Sequence, residues 1–249
     1  MIAPLTGPAP LGPNAGALAA TIAVNHRLYA NCPALCRTFA TSEGGLVQLR
    51  GDGALAAGPA DSEELAGFLT FAGVRALRSD GAAPEGWRAG EPVCQLALTG
   101  SLPALPAPQG ARLSEEPSPR LAALLQPGLT GEEQDNFYAD LCTRRNHGQG
   151  ALVTAVEEGG GPLGCAALLL EPGSRTGVLT AVAVAPAARG RGLGRWLVAE
   201  LCRPYGGWRL LLECAPALTA FYGPLGFTQP NDLPAPRWWV PADRENCKI

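Results

Sequence analysis

Several residue types are scarce in this chain of 249 residues, and each scarcity excludes a class of protein. Lys248 is the single lysine, and 19 basic residues stand against 22 acidic ones, so the chain lacks the broad basic surface that binding to nucleic acid requires. The chain has two histidines, and its eight cysteines include no Cys-x-x-Cys pair. We therefore expect neither a metal site nor a disulfide framework.

Long hydrophobic runs are also lacking, and no stretch approaches the roughly 20 apolar residues that cross a bilayer. Residues 14–24 are apolar, but the first basic residue of the chain, Arg27, follows them. A secretory signal has its basic region before the apolar one, so the segment favours a buried helix. We expect a cytoplasmic protein that does not bind membranes.

The chain does contain enough apolar sequence for a large core. Hydrophobic residues make up 47% and charged residues 16%, which excludes disorder from low hydropathy. The length suits two small domains, and residues 101–110 hold three prolines, which remove backbone donors and favour extended structure. We place a domain boundary there, with an N-terminal α/β domain of unknown role at residues 1–104 and a second domain at residues 105–249.

The segment from Val182 to Arg195 is the most informative part of the chain. A predicted strand ends near Val184, a glycine-rich turn follows, and a predicted amphipathic helix begins after it. Glycine lets a ligand approach the backbone closely, and the N–H groups at a helix start bind anions. Arg189, Arg191 and Arg195 add positive charge, which is typical of a pyrophosphate site. The pattern Arg-x-x-Gly-x-Gly alone would also fit a solvated surface turn.

Two motifs in the second half resemble those of the GNAT superfamily, the Gcn5-related N-acetyltransferases. The first is Val182-Ala-Val184-Ala-Pro186 followed by Arg189-x-x-Gly192-x-Gly194, and the second is Phe221-Tyr222-Gly-Pro-Leu-Gly226-Phe227. Tyr222 follows Gly194 by 28 residues, with one predicted helix and one predicted strand between them, as in the family. The resemblance extends over about residues 110–240.

The resemblance implies an acetyl-CoA-dependent N-acetyltransferase with a mixed, mostly antiparallel sheet that is flanked by helices and splits at the cofactor strand. It implies that the acetyl-CoA-binding residues are Val182, Ala183, Val184, Arg189, Gly190, Arg191, Gly192, Leu193, Gly194 and Arg195. Tyr222 would protonate the departing thiolate after direct attack by an amine. The N-terminal domain lacks the pyrophosphate motif, and its element pattern suggests a degenerate copy of the same fold.

Two positions depart from the family pattern. Ala215 stands where relatives often carry asparagine, and residues 179–181 lack the carboxylate that many relatives carry as a general base. Glu213 at the end of the next predicted strand is the candidate base. A structural ion pair, a cap for the following helix, a base acting through water and the more distant Glu171 are the alternatives.

Two other functions remain open at this stage. A non-catalytic module that binds or senses acyl-CoA would keep the pyrophosphate turn without a base, and the missing strand carboxylate favours it. An interaction protein would use the turn as plain surface, and the clustered arginines argue against it. The amine acceptor, whether a small molecule or a peptide, and the formation of a homodimer are left open.

Overall fold

A computed structural model describes residues 1–81, 83–114, 116–157, 160–233 and 235–242. The strands are β1 (Ala3–Pro4), β2 (Arg37–Ala40), β3 (Leu46–Arg50), β4 (Gly53–Ala57), β5 (Ala76–Ser79), β6 (Trp87–Pro92), β7 (Cys94–Leu98), β8 (Ala111–Ser114), β9 (Gly150–Glu157), β10 (Pro162–Glu171), β11 (Thr176–Val184), β12 (Arg209–Cys214), β13 (Phe227–Thr228) and β14 (Arg237–Pro241). The helices are α1 (Ala17–Tyr29), α2 (Ser62–Phe71), α3 (Arg120–Leu125), α4 (Glu132–Asn146), α5 (Leu193–Cys202) and α6 (Thr219–Tyr222).

The strands form two sheets with the same topology. The first has the order β1-β2-β3-β4-β5-β14-β6, and the second has the order β8-β9-β10-β11-β12-β7-β13. Each sheet contains a parallel pair at the same position, β4 with β5 and β11 with β12, and a helix, α2 or α5, connects the two strands of each pair. The predicted mixed, mostly antiparallel α/β architecture is confirmed, and the N-terminal part has the same fold as the C-terminal part.

Each sheet also takes its sixth strand from the other half of the chain. β7 follows β6 in sequence but lies in the second sheet, and β14 follows β13 but lies in the first. One compact unit accordingly comprises residues 1–95, 213–217 and those from Gln229 onward, and the other comprises residues 96–212 and 218–228. This division differs from a single cut after residue 104, because the chain passes between the sheets more than once.

Local sequence accounts for the helices that follow the parallel strands. Asp61 caps α2, because its side chain accepts a hydrogen bond from the backbone N–H of Glu64 at 2.8 Å. Leu65 and Leu69 then contribute to the core of the first unit. In α5, Leu197 and Leu201 are buried one turn apart, as the predicted helical stripe requires.

Candidate active site

The second sheet splits in the middle of β11. Ala167 pairs with Ala181 and Leu168 with Leu179, so Thr180 is the extra residue of a β-bulge. β11 pairs with β12 only up to Leu179 within the residues that the structure describes. Residues 181–184 still pair with β10 on one side, so their other edge offers backbone N–H and C=O groups to a ligand.

The turn between β11 and α5 gives the helix start an open backbone. Gly190 has φ +77° and Gly192 has φ +80°, which is the left-handed region that glycine adopts without strain. A Cβ built at either position would meet nothing within 4 Å, so the backbone faces open space. Gly192 is the N-cap of α5 and has no side chain that could bind the first N–H groups. These groups are therefore ready to bind an anion.

The side chains of Arg189, Arg191 and Arg195 make different contacts. Arg189 donates from Nε to the carbonyl oxygen of Val184 at 3.2 Å, and it lines a cavity beside the turn. Arg195 also lines the cavity, and its guanidinium carbon lies 5.8 Å from the centre of the Phe221 ring. Arg191 donates from Nη2 to the carbonyl oxygen of Gln109 at 2.6 Å, so this contact occupies one of its donors outside the cavity.

The cavity has a volume of about 600 Å³, and most of the residues predicted to bind acetyl-CoA line it. The described residues that line it are Val182, Val184, Ala188, Arg189, Gly190, Gly192, Leu193, Gly194, Arg195, Leu218, Phe221 and Tyr222. Ala183 and Arg191 are not among them. Ala183 packs with the cluster around Leu121 on the opposite face of the sheet, because successive side chains of a strand alternate between faces.

The apolar wall of the cavity comes from α6 and the turn before it. Leu218 is 48% exposed, and sequence reasoning missed it because a single leucine in a short helical turn carries no signal. Phe221 lies against Gly194, where a Cβ would come within 3.2 Å of its Cζ, so glycine permits this close approach. The buried Tyr222 meets the rings of Phe221 and Phe227 edge-on, with centroids 4.8 and 6.1 Å away.

Glu213, the predicted base, forms a partly buried ion pair. Its Oε2 accepts a hydrogen bond from Nη2 of Arg78, and its side chain is 9% exposed. Burial lowers the pKa of Arg78 to about 10, so the guanidinium remains charged at neutral pH. Glu213 and Arg78 both belong to the first compact unit, whereas Tyr222 belongs to the second. The ion pair that sequence reasoning kept as an alternative is therefore formed.

Two further side chains, the more distant candidate base Glu171 and the thiol of Cys214 beside Glu213, are unsuited to catalysis where the structure places them. Glu171 accepts a hydrogen bond from the backbone N–H of Ser174 at 2.5 Å, which fixes the turn after β10, and it is buried there. Burial raises the pKa of Cys214 to about 11, so its thiol stays protonated and is a poor nucleophile. No group of three metal-ligating side chains occurs among the described residues. None of the helices in the described ranges is long and apolar enough to cross a membrane.

The sequence matches a known family and named relatives. The model of the family described as "Acetyltransferase (GNAT) family" matches residues 118–227. A probable glucosamine 6-phosphate N-acetyltransferase 2 of Oryza sativa subsp. japonica is 31% identical over an alignment of 115 residues, and the match covers 41% of this chain and 68% of the relative. The glucosamine 6-phosphate N-acetyltransferase of Trypanosoma brucei brucei is 34% identical over an alignment of 109 residues, and the match covers 41% of this chain and 72% of that protein.

Solved structures share the fold over almost the whole chain. A tandem GNAT protein from the clavulanic acid biosynthesis pathway has a TM-score of 0.62 at 15% identity, and the similarity covers 99% of both chains. A GCN5-related N-acetyltransferase from Kribbella flavida has a TM-score of 0.57 at 15% identity, with 88% of this chain and 95% of that one covered. Two such domains in tandem agree with the shared topology of the two sheets. The split strand, the glycine-rich helix start and the matches to named acetyltransferases together show that this chain belongs to the GNAT family of acetyltransferases.

Proposed function

We propose that this protein transfers the acetyl group of acetyl-CoA to a primary amine, and that the cavity beside β11 and α5 binds the donor. The observation that carries the proposal is the meeting of a free strand edge, an uncapped helix start and Tyr222 around one cavity. Each of the three matches one part of the donor, namely the pantetheine arm, the pyrophosphate and the thioester.

The residues of the cavity fit acetyl-CoA by their chemistry. The edge of Val182 and Val184 can pair with the amides of the pantetheine arm as an added strand would. The N–H groups from Gly190 to Gly194 can hold the pyrophosphate, and Arg189 and Arg195 supply positive charge beside them. Arg191 would contribute through its backbone, because its side chain does not line the cavity, whereas the carbonyl oxygen of Ala183 faces Gly164 of β10 rather than the open strand edge.

The reaction joins the amine nitrogen to the carbonyl carbon of the thioester and breaks its carbon–sulfur bond. Tyr222 would donate its phenolic proton to the departing thiolate, because a phenol can supply a proton as the thiolate forms. The nitrogen must lose a proton, and Glu213 would take it up, directly or through a water molecule. Glu213 directly follows Leu212, the last residue of β12 that pairs with β11, and this position supports its role.

The relatives suggest which amine to test first. The proteins from Oryza sativa and Trypanosoma brucei are named for glucosamine 6-phosphate, a sugar phosphate with a primary amine. The alternative function, a non-catalytic module that binds acyl-CoA, is favoured by the absence of a carboxylate at residues 179–181 and by the ion pair that engages Glu213.

Isothermal titration with acetyl-CoA tests the donor site. We expect micromolar binding by the wild type and at least a hundredfold weaker binding by Gly192→Trp, because the indole would fill the space that the anion needs. Gly148→Trp is the matched control, since Gly148 also has positive φ and open surroundings and lies in the same compact unit outside the cavity lining. Absence of binding by the wild type would contradict the donor site.

Turnover assays then separate the enzyme from the binding module. Thiol release from acetyl-CoA is measured with a panel of amines that begins with glucosamine 6-phosphate. For Tyr222→Phe we expect kcat to fall about a hundredfold with unchanged affinity for acetyl-CoA, because the variant loses the phenolic proton donor. Tight binding of acetyl-CoA without turnover of any amine would support the binding module.

A further inference from the structure

One part of the cavity beside β11 and α5 combines apolar side chains with a positive charge. Leu218 is 48% exposed, Phe221 is half-buried, and both line the cavity at α6. Arg195 of α5 also lines it, with its guanidinium carbon 5.8 Å from the centre of the Phe221 ring. We call these three residues, all in the second compact unit, the α6 end of the cavity. Such a surface fits a flat, largely apolar group that carries an anionic substituent.

The position of Arg195 in α5 is unfavourable for a cation unless an anion binds nearby. Arg195 is the third residue of the helix, where the positive end of the helix dipole repels a positive charge. The first turn contains no acidic residue, and Arg195 forms no ion pair with a carboxylate of the described residues. By contrast, Arg203 at the other end of α5 pairs with Glu200 at 2.7 Å. The charge of Arg195 is therefore available to a ligand.

Arg189 and Arg195 are held by different walls of the cavity. Arg189 lies in the turn and donates from Nε to the carbonyl oxygen of Val184, at the end of β11. Arg195 instead contacts the ring of Phe221 on α6. Arg189 and the open N–H groups at the start of α5 suit one anionic group at the turn, which leaves Arg195 for a second one. Coenzyme A has two such groups, because its ribose carries the pyrophosphate on the 5′ carbon and a phosphate monoester on the 3′ carbon.

We propose that Arg195 binds the 3′-phosphate of acetyl-CoA while the adenine packs on Leu218 and Phe221, so that this protein selects donors that carry an adenosine 3′-phosphate. This inference rests on the proposed function and assigns the α6 end to one part of the donor. A guanidinium forms two parallel hydrogen bonds with a phosphate, and a purine stacks on an aromatic ring. An acetyl thioester on a carrier protein shares the phosphopantetheine arm but lacks the adenosine, so it leaves the α6 end empty.

The test compares two donors by isothermal titration at one ionic strength, acetyl-CoA and acetyl-dephospho-CoA, which lacks only the 3′-phosphate. We expect the wild type to bind acetyl-CoA about tenfold more tightly, because hydrogen bonds between charged groups are lost with the phosphate. In Arg195→Gln the affinity for acetyl-CoA should fall about tenfold, whereas that for acetyl-dephospho-CoA should stay within about twofold. The preference of the wild type should therefore disappear in this variant, which is the coupling that a double-mutant cycle measures.

Arg203→Gln is the matched control, because it removes the same charge from the opposite end of α5 and lies outside the cavity lining. Its affinity for both donors should stay within about twofold of the wild type. Arg195→Lys keeps the charge but loses the planar guanidinium, so we expect a preference of about threefold. Circular dichroism checks the fold of each variant. If Arg195→Gln fails to fold, the reduced preference of Arg195→Lys decides by the same comparison of donors.

The outcomes separate this inference from the proposed function. Equal binding of the two donors by the wild type would overturn the inference but leave the donor site intact. Equal losses for both donors in Arg195→Gln would also overturn it, since the arginine would then act on the pyrophosphate that they share. A preference that persists in Arg195→Gln would exclude Arg195 as its source. Failure of the wild type to bind acetyl-CoA would instead refute the proposed function.

Discussion

The two sheets share their strand order but differ in the turn that follows the first strand of the parallel pair. Between β4 and α2 the turn has four residues, 58–61, and between β11 and α5 it has eight, 185–192. Asp61 uses its side chain to satisfy an N–H group at the start of α2, whereas Gly192 leaves the start of α5 uncapped. The same strand order therefore carries a helix start that is capped by a side chain in one sheet and a helix start whose N–H groups are left open in the other.

The two sheets also differ at the ends of their parallel strands, which stay in contact in the first sheet and separate in the second. A Cβ on Gly81 would lie 2.3 Å from the carbonyl oxygen of Gly58, so the segments after β4 and β5 stay in close contact. In the second sheet, the bulge at Thr180 turns the strand and its pairing with β12 ends at Leu179. The space for a ligand thus depends on a few residues at the strand ends.

The largest expected effect concerns whether the two copies unfold together. Leu69→Ala in the first sheet and Leu197→Ala in the second each remove a side chain that is 0% exposed, and we expect each to lower the free energy of unfolding by about 2–5 kcal/mol. Because each sheet contains a strand from the other half of the chain, both variants should shift one common transition. Urea unfolding followed by circular dichroism measures this, and two separate transitions, each sensitive to one variant, would contradict it.

A smaller effect is expected when the capping chemistry of the first copy is transferred to the second. Gly192→Asp places an acceptor and a negative charge at the start of α5, so we expect acetyl-CoA to bind about a hundredfold more weakly. Gly192→Asn is the control without the charge, and its loss should be about tenfold, since asparagine also tolerates the left-handed conformation. Titration calorimetry compares the two. Equal losses would show that backbone strain, rather than charge, accounts for the effect.

The smallest effect is expected at the cap of the first copy. Asp61→Ala removes the hydrogen bond to the N–H of Glu64 and should reduce stability by about 1 kcal/mol. Asp61→Asn keeps a hydrogen-bond acceptor and should reduce stability by less. Chemical denaturation measures both, and acetyl-CoA affinity should not change in either variant. A loss of affinity in Asp61→Ala would indicate that the first copy takes part in donor binding.

Local patterns in the sequence were sufficient to select most of the residues that line the cavity beside β11 and α5. The motif from Val182 to Gly194 and the Tyr222 motif lie in elements that the structure brings around one cavity, because a strand, a turn and a helix are contiguous there. The alternation of strand side chains explains why Val182 lines the cavity while Ala183 does not.

Contacts and strand pairing between distant parts of the chain could not be predicted from local sequence patterns. No pattern in the sequence around Arg78 indicates its contact with Glu213. The short apolar runs of β7 and β14 likewise do not specify which sheet they join. The three prolines near residue 104 indicate an irregular segment, but the division into compact units follows strand pairing instead. Charge and periodicity describe single elements, whereas sheet membership depends on partners more than a hundred residues away.

Because the two sheets exchange strands, they are completed in a fixed order during synthesis on the ribosome. The first sheet contains β6, which ends at Pro92, but its neighbour β14 begins only at Arg237. At the usual rate of about 5–20 residues per second, translation of the intervening chain takes roughly seven to thirty seconds. During that time the nascent first sheet has a gap between β5 and β6, with unpaired strand edges that invite wrong partners. The N-terminal half, although made first, is completed last.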